Sequence, residues 1–168
     1  MPAVRALIVH ESNCPATCAM VDAVAAALTA RGAAVDTRAV AAAPAAFGDP
    51  IDLLVVAAPA IPPPARPAAA FIPTVGLPAA GGVRDWVERI DLPHGQPTAT
   101  FDVRSRSEAP GSPARAAARR LRERGATIIG TRSFVAPTRE SRIGDDEQAR
   151  VRDWAAGLVL DAAIHRVG

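Results

Sequence analysis

The sequence has no tyrosine and no lysine, and it contains only two tryptophans and two cysteines. All nineteen basic residues are arginine, which we attribute first to a coding bias that also accounts for the abundance of alanine. The formal net charge of +2 is too small to predict nucleic-acid binding. Two cysteines and three histidines provide neither a disulfide framework nor the ligands of a structural zinc site, so we expect no bound metal.

Long apolar segments are also absent from the sequence. No apolar run approaches the roughly 20 residues that span a bilayer, and residues 1–10 lack the basic region and cleavage site of a secretory signal. The length of 168 residues and the hydrophobic content of 49% are typical of one globular domain. We therefore expect a single domain over residues 1–168, located in the cytoplasm and not bound to a membrane.

Short apolar runs alternate along the chain with segments of helical periodicity. The predicted strands cover residues 3–9, 33–40, 51–58, 98–103 and 126–136. The predicted helices cover residues 17–31, 83–90, 112–124 and 145–166. Gly32 and Gly125 follow two of these helices and are expected to end them. Strands that alternate with helices predict a parallel sheet with helices on both faces.

A proline-rich segment interrupts this alternation at residues 59–82, where seven prolines and three glycines occur in twenty-four residues. This composition excludes a helix or a central strand. One interpretation is a solvated connector in the polyproline conformation. The other is a lid or partner-binding surface at the carboxyl edge of the sheet.

The order of several sequence stretches resembles that of the flavodoxin family over nearly the whole chain. The matching stretches are "ALIVHES", "DLLVVAAP", "GVRDWVERI", "TFDVR", "GSPARAAARRLRERGATIIGTRSFV" and "GDDEQARVRDWAAGL". The resemblance implies a flavodoxin-like three-layer α/β sandwich whose five parallel strands have the order 2-1-3-4-5. It also implies an FMN cofactor and an electron carrier, rather than an enzyme with acid–base residues of its own.

By the same resemblance, the loop after the first strand binds the FMN phosphate. The corresponding positions are Ser12, Asn13, Cys14, Ala16 and Thr17. Pro15 stands where the family motif has glycine, so one backbone N–H of the phosphate site is missing. The alternative interpretation is purely local, with Thr17 capping the helix and Ser12 forming a turn.

The resemblance places the flavin ring against two further loops. The residues expected to border it are Pro59, Ala60, Ile61, Asp102, Val103, Arg104 and Ser105. Trp86 and Trp154 fall inside helical patterns, where packing is the expected role, and Phe71 is the only aromatic residue on the proline-rich segment. Aliphatic side chains and backbone would therefore have to enclose most of the ring.

Two other functions are compatible with the sequence. The first is a flavin-free binding or regulatory module that acts on a redox or regulatory protein partner. It would use the proline-rich segment and the arginine-rich helix, since residues 104–124 contain seven arginines and two glutamates and suit an acidic partner or an anionic ligand. The alternative interpretation is that these arginines only form a helix face exposed to solvent.

The second function is that of a thiol or small-anion enzyme centred on Cys14. His10, at the end of the first strand, is expected to contact a ligand or a loop carbonyl.

Overall fold

The computed structural model describes residues 2–11, 15–58, 82–104, 111–136 and 142–167. Its strands are β1 (Arg5–His10), β2 (Ala34–Ala39), β3 (Leu53–Ala57), β4 (Pro97–Arg104) and β5 (Thr127–Val135). Its helices are α1 (Pro15–Ala30), α2 (Val83–Arg89), α3 (Pro113–Glu123) and α4 (Asp145–Val167), and a 3₁₀ turn covers Val40–Ala42. The strands form one parallel sheet in the order β2-β1-β3-β4-β5. This confirms the predicted fold.

Helix α1 begins two residues earlier than the sequence pattern predicts. Pro15 occupies its first position, which suits proline because the N–H at this position has no partner within a helix. At the other end, Gly32 has a φ of 85°, and the next residue, Ala33, donates its N–H to the Leu28 carbonyl at 3.1 Å. Gly125 ends α3 in the same way with a φ of 95°. Both glycines therefore act as the predicted helix stops.

Apolar side chains on the two faces of the sheet form two separate clusters. Helices α1 and α4 cover one face, where Phe101, Phe134 and Trp154 meet edge to face with ring centroids 5.5–5.9 Å apart. Helices α2 and α3 cover the other face, where Trp86 is buried and donates its indole N–H to the Pro44 carbonyl at 2.9 Å. Both tryptophans thus have the packing roles predicted for them.

Helix α4 approaches β5 closely at Gly130. A Cβ atom at this position would lie 2.9 Å from Leu158 Cδ2 and 3.0 Å from Trp154 Nε1. Contacts this short would force the Leu158 and Trp154 side chains to shift, so glycine at this position permits the close approach of α4 to β5. Within the part of the chain that the structure describes, no helix is long and apolar enough to cross a membrane.

At the amino edge of the sheet, Arg166 ties the end of α4 to the start of the chain. Its guanidinium donates to the Asp52 carboxylate, to the Pro2 carbonyl at 2.8 Å and to the Ala3 carbonyl at 2.9 Å. Asp52 also accepts the Arg5 backbone N–H at 2.7 Å. Burial raises the pKa of Asp52, but the hydrogen bonds and charges of Arg166 and Arg5 outweigh burial and hold this pKa below its ordinary value.

Candidate functional site

The carboxyl ends of β1, β3 and β4 lie side by side at one edge of the sheet. The chain leaves β1 for β2 on one side and later returns to β3 on the other side. The strand order reverses at this point, and open α/β sheets bind ligands in the crevice that such a reversal creates. The residues predicted for cofactor binding follow these three strands, so the fold brings their loops to a common edge.

The start of α1 follows β1 at this edge. Ala16 and Thr17 lie in its first turn and are only 4% and 5% exposed, whereas Pro15 is exposed. No hydrogen bond joins the Thr17 hydroxyl to another described residue. Ser12, Asn13 and Cys14 lie outside the described residues. The first turn contains no acidic residue, so the amides of Ala16 and Thr17 and the Thr17 hydroxyl have no carboxylate within their own turn.

Each of the other three helices has a carboxylate at its start. Glu11 accepts the Val83 N–H of α2 at 2.6 Å, and Asp102 accepts the Ala114 N–H of α3 at 2.9 Å. Helix α4 begins with the acidic run 145–147. A helix N-terminus carries about half a positive charge, which these carboxylates compensate. Among the described helices, α1 is therefore the one that has no acidic residue in its first turn and no identified hydrogen bond from its first turn to a described carboxylate.

His10 ends β1 beside this helix start. Side chains alternate between the faces of a strand, so His10 lies on the same face as Ile8, which belongs to the cluster under α1 and α4. Its ring is partly exposed, but Nδ1 is buried and has no hydrogen-bond partner within the described residues. The alternative of a loop carbonyl as partner is therefore not observed there, and a bound ligand would satisfy this nitrogen.

The end of β4 contributes a second buried polar atom without a partner. Asp102 is 0% exposed, and its Oδ2 accepts the Ser112 hydroxyl and the Ala114 N–H, each at 2.9 Å. Its Oδ1 is buried and has no hydrogen-bond partner in the described part of the chain. Asp102 thus caps α3 through one oxygen and leaves the other as an acceptor near the carboxyl edge.

The other predicted ring-border residues are only partly described. Val103 is 7% exposed and belongs to the cluster with Phe101, and Arg104 is half-buried and pairs with Val135 of β5. The remaining predicted residues, Pro59, Ala60, Ile61 and Ser105, lie outside the described residues. Within the described ranges, no three His, Cys, Asp or Glu side chains form a group that could hold a metal ion.

Sequence reasoning missed the roles of Glu11 and Asp102 as helix caps. Glu11 lies 72 residues from the N–H that it accepts, and no local pattern marks such a pairing. A weaker signal exists for Asp102, because Ser112 directly before Pro113 marks a helix start. That signal does not show which strand supplies the second acceptor.

No protein-family model matches the chain, and no curated protein matches it in sequence. Solved structures do match it. The chain is similar to Megasphaera elsdenii flavodoxin in its two-electron reduced form, with 18% identity, a TM-score of 0.62, and coverage of 92% of this chain and 98% of that one. It is also similar to oxidised flavodoxin 1 of Bacillus cereus, with 16% identity, a TM-score of 0.65, and coverage of 93% and 97%.

A third similar structure is a short-chain flavodoxin associated with a non-canonical PDU bacterial microcompartment. It has 16% identity and a TM-score of 0.66, and the match covers 96% of this chain and 99% of that one. Each of these three matches covers nearly the full length of both compared chains. The fold is therefore flavodoxin-like.

Proposed function

We propose that this protein binds FMN and acts as an electron carrier, with the phosphate at the start of α1. The observation that carries the proposal is the first turn of α1, which contains no acidic residue, whereas described carboxylates accept from or lie in the first turns of α2, α3 and α4. An anionic group at this position would receive the helix amides and the favourable end of the helix dipole. The flavodoxin-like fold supports the same location.

The residues at this position fit a phosphate with fewer donors than the family motif provides. The Ala16 and Thr17 amides and the Thr17 hydroxyl can donate, whereas Pro15 has no N–H. The His10 ring would add a nitrogen that can hydrogen-bond close to the same loop. An arrangement of this kind favours a flavin with a doubly charged phosphate ester, such as FMN, over riboflavin, which has no phosphate.

The end of β4 fits the polar edge of a heterocyclic ring. The buried Oδ1 of Asp102 can accept an N–H from a ligand, and accepting it would satisfy an atom that otherwise lacks a partner. When bound, FMN supplies one- and two-electron redox chemistry, and the protein contributes binding, orientation and electrostatics. We also propose that the protein exchanges electrons with a redox partner protein.

The test compares Thr17→Val with Thr29→Val. Valine has nearly the shape of threonine, so the buried Thr17 site keeps its packing and loses only the hydroxyl. We expect Thr17→Val to weaken FMN binding about tenfold to a hundredfold, because a hydrogen bond to a charged group contributes about 1.5–3 kcal/mol. Thr29 lies near the other end of α1, where its hydroxyl donates to the Ala25 carbonyl at 2.9 Å, so Thr29→Val should bind FMN like the parent.

The measurement is quenching of flavin fluorescence on titration with protein, made with both FMN and riboflavin. Thr17→Val should leave riboflavin affinity unchanged, since riboflavin has no phosphate. Failure of the parent protein to bind FMN at saturating concentration would refute the proposed function. In that case the flavin-free module remains, which the loss of one amide at Pro15 also favours.

A further inference from the structure

A groove with a volume of about 440 Å³ lies between α2 and α3 and extends to the end of β3. Its floor is apolar and is formed by Ala58, Val83, Val87, Pro113, Ala116 and Ala117. The volume lies within the range of small-molecule pockets, about 300–1,000 Å³. The groove is on the α2 and α3 face of the sheet, whereas α1 and the proposed phosphate position are on the other face.

Three arginines line this groove, namely Arg84, Arg119 and Arg120. Arg120 is paired with Glu88 at 3.3 Å and Glu123 at 3.9 Å. Arg84 and Arg119 are exposed and form no ion pair with any residue in the described ranges. No acidic residue is among the described residues that line the groove. Its rim therefore carries two arginines, Arg84 and Arg119, that form no ion pair with a described carboxylate.

Among the described residues that line the groove, Ser112 alone carries a hydroxyl group, and this hydroxyl is already hydrogen-bonded. Ser112 donates to Asp102 at 2.9 Å and accepts the Arg115 N–H at 3.2 Å. The floor thus offers a ligand only apolar contact, and the polar recognition is confined to the arginines. A second groove, between β5 and α4, is different because Arg132 and Arg150 line it together with Asp153 and Asp161. Because both positive and negative side chains line it, this second groove favours neither an anionic nor a cationic ligand.

We propose that the groove between α2 and α3 binds a small monocarboxylic acid with an apolar body. The body would lie on the alanine and valine floor, and the carboxylate would lie between Arg84 and Arg119, since a guanidinium matches the geometry of a carboxylate. Charge complementarity and an apolar floor together favour this class over a neutral lipid or a sugar. The arginines and the alanine and valine floor are not among the residues proposed to hold FMN, but Ser112 of the groove donates to Asp102, which is proposed to contact the ring. The test is therefore made without FMN.

The test uses octanoate and 1-octanol as probes in calorimetric titrations of the full chain without FMN. We expect octanoate to bind, and 1-octanol, which has the same chain length without the charge, to bind at least about fivefold more weakly. The double variant Arg84→Gln/Arg119→Gln should lower octanoate affinity by about fivefold to tenfold and leave that of 1-octanol unchanged. The matched control is Arg115→Gln/Arg122→Gln, which removes two exposed arginines of α3 that do not line the groove.

A third variant fills the groove. Ala116 is exposed on α3, so Ala116→Phe should fold, and its ring should abolish octanoate binding. The far-ultraviolet circular dichroism spectrum and thermal midpoint verify folding.

Absence of octanoate binding by the parent overturns the proposal. An equal loss of affinity in the control double variant also overturns it, because binding would then depend on overall charge and not on this groove. The octanoate titrations of the parent and of the two arginine-to-glutamine double variants decide the question even if Ala116→Phe does not fold.

Discussion

The replacement of Pro15 by alanine tests how the start of α1 binds an anion. Pro15 is the first residue of α1 and is exposed, so its backbone already has a helical conformation that alanine can adopt. Alanine restores the missing N–H and changes little else, since the proline ring makes no contribution to the buried clusters. Because Pro15 already has a helical backbone, Pro15→Ala tests the effect of the missing N–H without changing the backbone conformation.

The expected gain follows from one hydrogen bond to a charged group, which is about 1.5–3 kcal/mol. That range corresponds to an increase in FMN affinity of about tenfold to a hundredfold. Against this, proline restricts the unfolded chain, so the variant should lose about 0.4–1 kcal/mol of stability. Affinity and stability are therefore expected to change in opposite directions.

The assay is flavin fluorescence quenching for affinity and urea unfolding for stability, applied to the parent, Pro15→Ala and Pro15→Gly. Both variants restore the N–H, and glycine in addition permits a positive φ. Equal gains in the two variants show that the amide is the missing element. A gain with glycine alone shows that the loop follows a different path when FMN binds. If FMN binds and neither variant improves its affinity, the phosphate does not lie at the start of α1.

Three further predictions concern stability and the groove. Gly130→Ala should destabilise the fold by about 1–3 kcal/mol in urea unfolding because the added Cβ would crowd Leu158 and Trp154. The matched Gly157→Ala, in α4 with open space around its Cα, should stabilise it by about 0.5–1 kcal/mol, and equal effects would contradict the close approach of α4 to β5. Asp52→Asn should lower the thermal midpoint at pH 7. Because the pKa of Asp52 is lowered in the folded state, its stabilisation is complete above the unfolded pKa of about 3.9 and is lost as the pH falls through the folded pKa. The difference between parent and variant should therefore disappear in acid, and a constant difference from pH 7 to the acid limit would refute the role of this carboxylate. Octanoate should protect the parent from thermal unfolding and should not protect Arg84→Gln/Arg119→Gln, a difference that differential scanning fluorimetry can measure.

The sequence predicts the fold well because its signals are local. Buried strands such as Leu53–Ala57 are short apolar runs, and Gly32 and Gly125 mark helix ends through a conformation that other residues avoid. The sequence pattern predicts that α1 begins at residue 17, because proline is common in loops and Pro15 is assigned to the loop before the helix. The structure shows that Pro15 has the other role that proline can play, that of the first helical residue.

The candidate site is less accessible to sequence reasoning because its electrostatics depend on contacts between distant residues. Glu11 reaches α2 from the end of β1, and Asp102 reaches α3 from β4. Only after both carboxylates are located does α1 differ from the other described helices, since its first turn contains no acidic residue and has no identified hydrogen bond to a described carboxylate. The groove with Arg84 and Arg119 likewise depends on the side-by-side placement of α2 and α3, which the sequence pattern does not specify.

The most direct test of the account compares FMN with riboflavin on the parent protein under identical conditions. The two molecules share the same ring and differ in the phosphate, which the start of α1 is proposed to bind. The account predicts that FMN binds at least about tenfold more tightly, since at least one charge-assisted hydrogen bond distinguishes them. Equal affinities, or no binding of either molecule, would contradict it.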